Sequence, residues 1–254
     1  MDIQTYLRRI GFAKPVRPDF ETLRAIHRAH MLSVPFENLD IIPLHRPIHL
    51  DEQALWNKIV VNQRGGFCYE LNGIFAWLLK QIGFEVIYLN ARVFNSDGTP
   101  GKDFDHLTLL VRAPDGPERW LADVGFGDSF TEPLSFEERG EQVQGLRAYK
   151  LEGTSEGYVL WQRDYNGQWN KGYFFDLQPR DFPTDYEAAC LYHQTSPQTH
   201  FTRQSIISRA TPAGRVSLEE HTLILTENGK RRELPVEHQT DFNALLKEYF
   251  GVVL

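Results

Sequence analysis

Apolar residues recur every three to four positions through the first third of the chain and every second position through its middle. That change of period predicts helices followed by short strands. Phe20, Leu23, Ile26, His27 and His30 share one helical face, so residues 19–31 are predicted as a helix capped by Asp19. The acidic pair Asp51 and Glu52 suits the N-terminal dipole of a second helix over residues 51–61. Leu71, Ile74, Phe75, Leu78, Leu79 and Ile82 mark a third helix over residues 68–82, entered after Gly65 and Gly66 and ended by Gly83. It is apolar around most of its circumference and is therefore expected to be buried. Residues 85–94, 104–112, 119–124, 147–152, 158–163 and 169–175 read as short strands between Gly, Pro, Asp and Asn turns. Their spacing suits a small barrel or sandwich rather than a parallel sheet. The last third mixes classes. A helix is predicted over 186–194, strands over 215–219 and 222–226, a hairpin turn at Asn228 and Gly229 leading into 230–234, and a closing helix over 241–250. No repeat, low-complexity stretch or flexible linker interrupts the chain, so its lobes are expected to pack as one unit.

Composition narrows the function classes. With 254 residues, 41% hydrophobic and 13% aromatic, the chain can bury a sizeable core. Seventeen Phe, ten Tyr and five Trp against two Met predict a rigid, aromatic interior with an aromatic-lined pocket. The formal net charge is -7, both signs are interspersed, and the longest basic run is residues 230–232. Nothing there is a footprint for nucleic acid or a membrane surface. A basic patch for an anionic substrate would have to be assembled in three dimensions. Cys68 and Cys190 are the only cysteines, too few for a disulfide framework and in keeping with a reducing cytosol. The opening MDIQTYLRRIGF is amphipathic and lacks a signal core, and no run of about 18 apolar residues follows, so the cytoplasm is the expected location.

The segment Arg64-Gly65-Gly66-Phe67-Cys68-Tyr69-Glu70 is the strongest local feature. Its glycines permit a tight approach turn, and Cys68 falls in the first turn of a helix, where free N–H groups and the dipole favour an anion. The thiolate is the nucleophile, and an ordinary thiol ionises only near pH 8.5, so this placement raises a reactive cysteine to equal standing with a small buried hydrophobe, the commoner fate of a lone cysteine. A nucleophilic cysteine needs a base and a group to orient it. Nine histidines compete. His27 and His30 read as packing or surface residues on an amphipathic helix. His45 and His49 lie in a proline-bearing connection, and His193, His200, His221 and His238 fall in late segments. His106 begins the apolar run Leu107-Thr108-Leu109-Leu110-Val111 on a predicted strand near a loop, a rigid mount for a base. Asp123 ends the next apolar run, Trp120-Leu121-Ala122, and a hairpin of the two strands would set carboxylate beside imidazole. The order Cys, His, Asp is compatible with papain-like and transglutaminase-like arrangements, and spacing alone does not separate these chemistries. For a metal, Cys190 with His193 and His27 with His30 are each only half a site, where zinc takes three or four protein ligands. No metal is expected. Gly125-Phe126-Gly127 is too short for a phosphate-loop fingerprint.

These residues resemble the arylamine N-acetyltransferase family. The resemblance rests on Val34-Pro35-Phe36-Glu37-Asn38-Leu39, on Arg64-Gly65-Gly66-Phe67-Cys68-Tyr69-Glu70-Leu71-Asn72-Gly73, on His106-Leu107, and on Asp123-Val124-Gly125-Phe126-Gly127. Looser similarity runs from Phe201 to Leu218. The resemblance implies an α+β fold with a helical lobe (1–84), an antiparallel β-barrel-like lobe (85–198) and an α/β lid (199–254), and a papain- or transglutaminase-like triad of Cys68, His106 and Asp123. It implies acetyl-CoA as co-substrate, no permanently bound cofactor, and an aromatic amine, hydrazine or N-arylhydroxylamine as acceptor. Phe36, Tyr69 and Phe126 would line the acceptor pocket, Gly125 and Gly127 would sit beside the acyl donor, and Arg64 and Glu37 would form a buried structural ion pair. Many members carry a longer C-terminal extension toward the CoA cleft than a chain ending at Leu254, which bears on donor affinity. Asp128 would place an acid at the pocket mouth.

Overall fold

The computed structural model describes the backbone of residues 1–254 and every side chain but that of Gln239. Helix α1 (Ile3–Arg9) is capped by Asp2, whose carboxylate accepts the Thr5 N–H at 2.8 Å; too short for a periodic signal, it is not among the predicted helices. Helix α2 (Phe20–Ser33) follows its predicted cap, with Asp19 accepting the Thr22 N–H at 2.8 Å. A two-residue strand, β1 (Phe36–Glu37), precedes α3 (Glu52–Trp56), which Asp51 caps and which runs on to Val61 as a π-helical segment rather than the regular helix expected there. Helix α4 (Cys68–Ile82) has the predicted bounds and is buried along nearly its whole length. It stops at Gly83, whose φ of 110° lies in the left-handed region that glycine tolerates.

The middle of the chain builds β2 (Glu85–Val93), β3 (His106–Arg112), β4 (Arg119–Ala122), β5 (Leu134–Ser135), β6 (Gln142–Gln144), β7 (Arg147–Gly153), β8 (Tyr158–Arg163) and β9 (Trp169–Phe175). They form one antiparallel eight-stranded sheet in the order β5-β4-β3-β2-β9-β8-β7-β6. The two edge strands meet through side chains. Gln142 accepts the Ser135 N–H at 2.7 Å and donates to the Ser135 carbonyl at 2.9 Å, so the sheet curls almost into a barrel. Its interior holds Leu89, Leu110, Leu121, Phe136, Tyr149, Tyr173 and Phe175.

Helix α5 (Glu187–Thr195) is followed by β10 (Ile206–Thr211), β11 (Gly214–Glu219), β12 (Thr222–Glu227), β13 (Lys230–Pro235) and α6 (Gln239–Leu245), the last extended to Phe250 by a π-helical segment. The sheet order is β1-β10-β11-β12-β13, so the helical region supplies its edge strand, with Phe36 opposite Ser208 and Glu37 opposite Ile207. β10 is not among the predicted strands.

Strand β3 is the hinge of the packing. Leu107, Leu109 and Val111 face a core shared with Tyr6, Leu23, Ile26 and Phe75, while Leu110 faces the barrel interior. The period of two along the strand thus puts one apolar row in each core. Among the described residues no helix is long and apolar enough to cross a membrane.

Candidate active site

The turn into α4 is held from below. A side chain at Gly65 would meet the Pro35 carbonyl oxygen at 1.9 Å, so only glycine fits. Gly66 accepts the Glu37 N–H at 2.9 Å. Beneath this turn Arg64 donates to both oxygens of Glu37, at 2.9 and 3.0 Å, and to Asp40 at 3.2 Å. Lys58 bridges Asp40 and Glu70, 2.7 Å from each. The other oxygen of Glu70 accepts the Phe67 N–H at 3.1 Å and so caps α4 one residue before Cys68. Each buried charge has a partner.

Asn72, one turn beyond Cys68, organises the strand ends. Its amide donates to the Leu107 carbonyl at 2.6 Å and to Asp123 Oδ1 at 2.9 Å, and its oxygen accepts the Val124 N–H at 2.9 Å. The hairpin of β3 and β4 then sets His106 Nε2 2.7 Å from Asp123 Oδ2, both groups buried. The carboxylate can only accept, so the ring donates through Nε2, and Nδ1 is left without a partner among the described residues. Asp123 also accepts the Tyr173 hydroxyl at 2.9 Å and the Gly125 N–H at 3.0 Å. Burial works to raise its carboxyl, but His106, Asn72 and Gly125 outweigh it and hold Asp123 below the usual carboxylate range.

His27 and Tyr173 complete this shell. Neither is singled out by sequence for the site, because His27 reads as an amphipathic-helix residue and Tyr173 as one aromatic in a strand. His27 Nε2 accepts the Asp123 backbone N–H at 3.1 Å, and Nδ1 donates to the Thr131 carbonyl at 2.9 Å. Burial pushes its pKa down to about 4, against the pull of the Thr131 carbonyl and Asp123, so the ring is neutral.

Cys68 and His106 line one cavity of about 970 Å³ together with Phe36, Gly125, Phe126 and Gly127. Among the described residues no hydrogen bond joins the sulfur to the ring. Burial pushes the Cys68 thiol well above its ordinary value; the nearby Leu107 N–H opposes this, and the carboxylates of Asp105 and Asp123 add to it. Tyr69 does not line the cavity. One residue around the helix from Cys68, it is fully enclosed among Phe67, Tyr186 and His193, and its hydroxyl donates to the Phe104 carbonyl at 2.6 Å. Asp128 stands at the cavity rim and is paired there with Arg147 and Arg215. Among the described residues no cluster of His, Cys, Asp and Glu is arranged to hold a metal ion.

The N-acetyltransferase family model matches residues 19–254. The arylamine N-acetyltransferase of Mycolicibacterium smegmatis is 34% identical over 258 residues, covering 100% of this chain and 93% of that protein. That of Escherichia coli (strain K12) is 33% identical over 252 residues, covering 97% of this chain and 87% of that protein. Among solved structures, the M. smegmatis arylamine N-acetyltransferase superposes with a TM-score of 0.92 at 33% identity, over 99% of this chain and 92% of that one. A Mycobacterium marinum arylamine N-acetyltransferase in complex with CoA superposes at 0.91 and 30% identity, over 99% and 93%.

Proposed function

The chain belongs to the arylamine N-acetyltransferase family, and from that premise we propose that Cys68, His106 and Asp123 act as the catalytic triad that moves an acetyl group from acetyl-CoA to an aromatic amine. The observation that carries the assignment is the buried 2.7 Å bond between His106 and Asp123 beside the cavity that Cys68 also lines.

The reaction runs in two halves. Because burial disfavours the isolated thiolate, the sulfur loses its proton to His106, and Asp123 stabilises the imidazolium that results. The thiolate attacks the thioester carbonyl, an S–C bond forms at Cys68, and the CoA sulfur leaves with the proton from His106. Acetyl-Cys68 is itself a thioester, so little driving force is lost. The amine nitrogen of the acceptor then attacks, His106 takes its proton, and the Cys68 thiolate is released. Arylamines, arylhydrazines and N-arylhydroxylamines suit the second half because they are largely neutral at neutral pH and flat enough for a cavity walled by Phe36 and Phe126. Enclosure limits hydrolysis of the intermediate. The division into a helical lobe (1–84), a barrel lobe (85–198) and a lid (199–254), and a cytoplasmic location, belong to the same proposal.

The test is incubation with acetyl-CoA and no acceptor, followed by peptide mass spectrometry. One acetyl group on the peptide containing Cys68, discharged by adding an arylamine, is the expected result. Unchanged CoA-dependent turnover in a Cys68→Ser variant would overturn the assignment.

A further inference from the structure

Resting on the acetyltransferase reading above, we propose that Asp105 and His193 form an acceptor-selecting subsite that favours aromatic amines with a second, cationic substituent over those bearing a carboxylate. Both residues line the cavity that holds Cys68 and His106. Asp105 directly precedes His106 in the chain, so its carboxylate is carried on the residue next to the base. His193, from α5, places Nε2 3.2 Å from Asp105 Oδ1.

Thr199 Oγ1 accepts the Phe201 N–H at 3.4 Å and lies 3.1 Å from His193 Nδ1, which holds the ring at that end. His193 Nε2 faces the Asp105 carboxylate at ion-pair distance, with no hydrogen bond between them among the described residues. Neither carboxylate oxygen of Asp105 makes a hydrogen bond among the described residues, although the side chain is only 24% exposed. The imidazole is held in place by Phe201, edge-on at 5.4 Å, and by Tyr69 at 6.1 Å. The nearest cation in sequence, Lys102, sits over the Tyr192 ring at 3.8 Å rather than on Asp105. The charge of Asp105 also reaches the reaction centre, where it helps to raise the Cys68 thiol after burial itself.

A carboxylate without a hydrogen-bond donor in a partly enclosed cavity gains from an added cationic donor and repels an added anion. A charge-assisted hydrogen bond of ordinary strength corresponds to a preference of about tenfold or more in kcat/KM. The competing role for the pair is purely structural, a tie that keeps α5 over the cavity. Such a tie would change all acceptors equally when broken.

The full chain is assayed with acetyl-CoA and three acceptors of similar size: toluidine (neutral), (dimethylaminomethyl)aniline (cationic at neutral pH) and aminobenzoate (anionic), each as its meta and para isomer. The tertiary ammonium of the second cannot itself be acetylated. The wild-type protein is expected to prefer the better cationic isomer over the better anionic one by about tenfold or more. Asp105→Asn should bring that ratio to within about threefold, and His193→Phe, which frees the carboxylate without removing its charge, should keep it. A wild-type ratio at or below one, or a ratio unchanged in Asp105→Asn, overturns the proposal. Transfer to toluidine with no charge preference defeats the subsite alone, whereas no transfer to any acceptor defeats the acetyltransferase reading and the subsite with it.

Discussion

Asp123 is a buried carboxylate with four donors, namely His106, Tyr173, Asn72 and the Gly125 N–H. Removing one leaves a buried lone pair unsatisfied, at a cost of about 1–3 kcal/mol. Tyr173→Phe is therefore expected to lower both kcat/KM, by about tenfold, and stability in denaturant titration; unchanged kinetics would show that the hydroxyl does not orient the carboxylate. His27 gives a pH dependence whose sign follows from its depressed pKa. The unfolded chain takes up a proton near pH 6.5, but the native ring resists until about pH 4. Stability from this group is complete above the unfolded value and is lost as pH falls through that window, by about 1.4 kcal/mol per pH unit. His30, also held well below its ordinary value by burial, adds in the same direction. Equilibrium unfolding at pH 7 and pH 5 should show the loss, and His27→Gln should lessen it. Neither role is legible from sequence. Tyr173 lies 50 residues after Asp123 and His27 lies 96 before it, and only barrel closure and docking of α2 bring them together.

Elements with a long periodic signal could be read, and short ones could not. Helix α4 has both its predicted ends because two glycines and a cap precede it and Gly83 stops it. The strands at Tyr158–Arg163 and Trp169–Phe175 also match, since alternation persists over six or seven residues. Strands β1, β5 and β6 have two or three residues each, and β10 carries Ile-Ile-Ser-Arg, which has no clean alternation. Their existence depends on partners far along the chain. Cys68, His106 and Asp123 stand out in the sequence as candidates because each sits at an element boundary, and the fold brings His106 against Asp123 and sets Cys68 and His106 on one cavity, whereas Tyr69 lies off that cavity because a helix turns about 100° per residue. The element boundaries also concentrate fragility. Arg64→Ala would leave Glu37 and Asp40 with a missing counter-charge between β1 and the α4 turn, and about 3–5 kcal/mol of stability should go with it in chemical denaturation. A loss under about 1 kcal/mol would mean the network relaxes or admits water. Gly125→Ala would drive a methyl to 2.8 Å from Cys68 Cα and 2.9 Å from the Cys68 carbonyl, backbone that cannot rotate away. Overpacking of about 1–3 kcal/mol and impaired acetylation of Cys68 are expected together.

Across the whole molecule the charge distribution opposes the cavity. The chain carries a formal net charge of -7, yet Lys102, Arg203, Arg215 and Arg231 line the cavity against three acids, Asp105, Asp128 and Glu219. These cations lie on the loop before β3, on the segment after α5, and on β11 and β13, so the basic face exists only once the C-terminal sheet has docked beside the barrel. That explains why no basic run marks it in the sequence. Acetyl-CoA is polyanionic, and its approach has to overcome the overall field by this local one. At low salt the Debye length exceeds the reach of a side chain, and near molar salt it shrinks to about 3 Å. Raising the salt concentration should therefore raise KM for acetyl-CoA several-fold and leave KM for toluidine within about twofold, because the neutral acceptor feels neither field. If both constants move together, salt is acting on the fold or on the chemistry, and the cationic wall is not what draws in the donor. If KM for acetyl-CoA falls instead, the net charge of the whole chain outweighs the wall at the distances where the donor is captured.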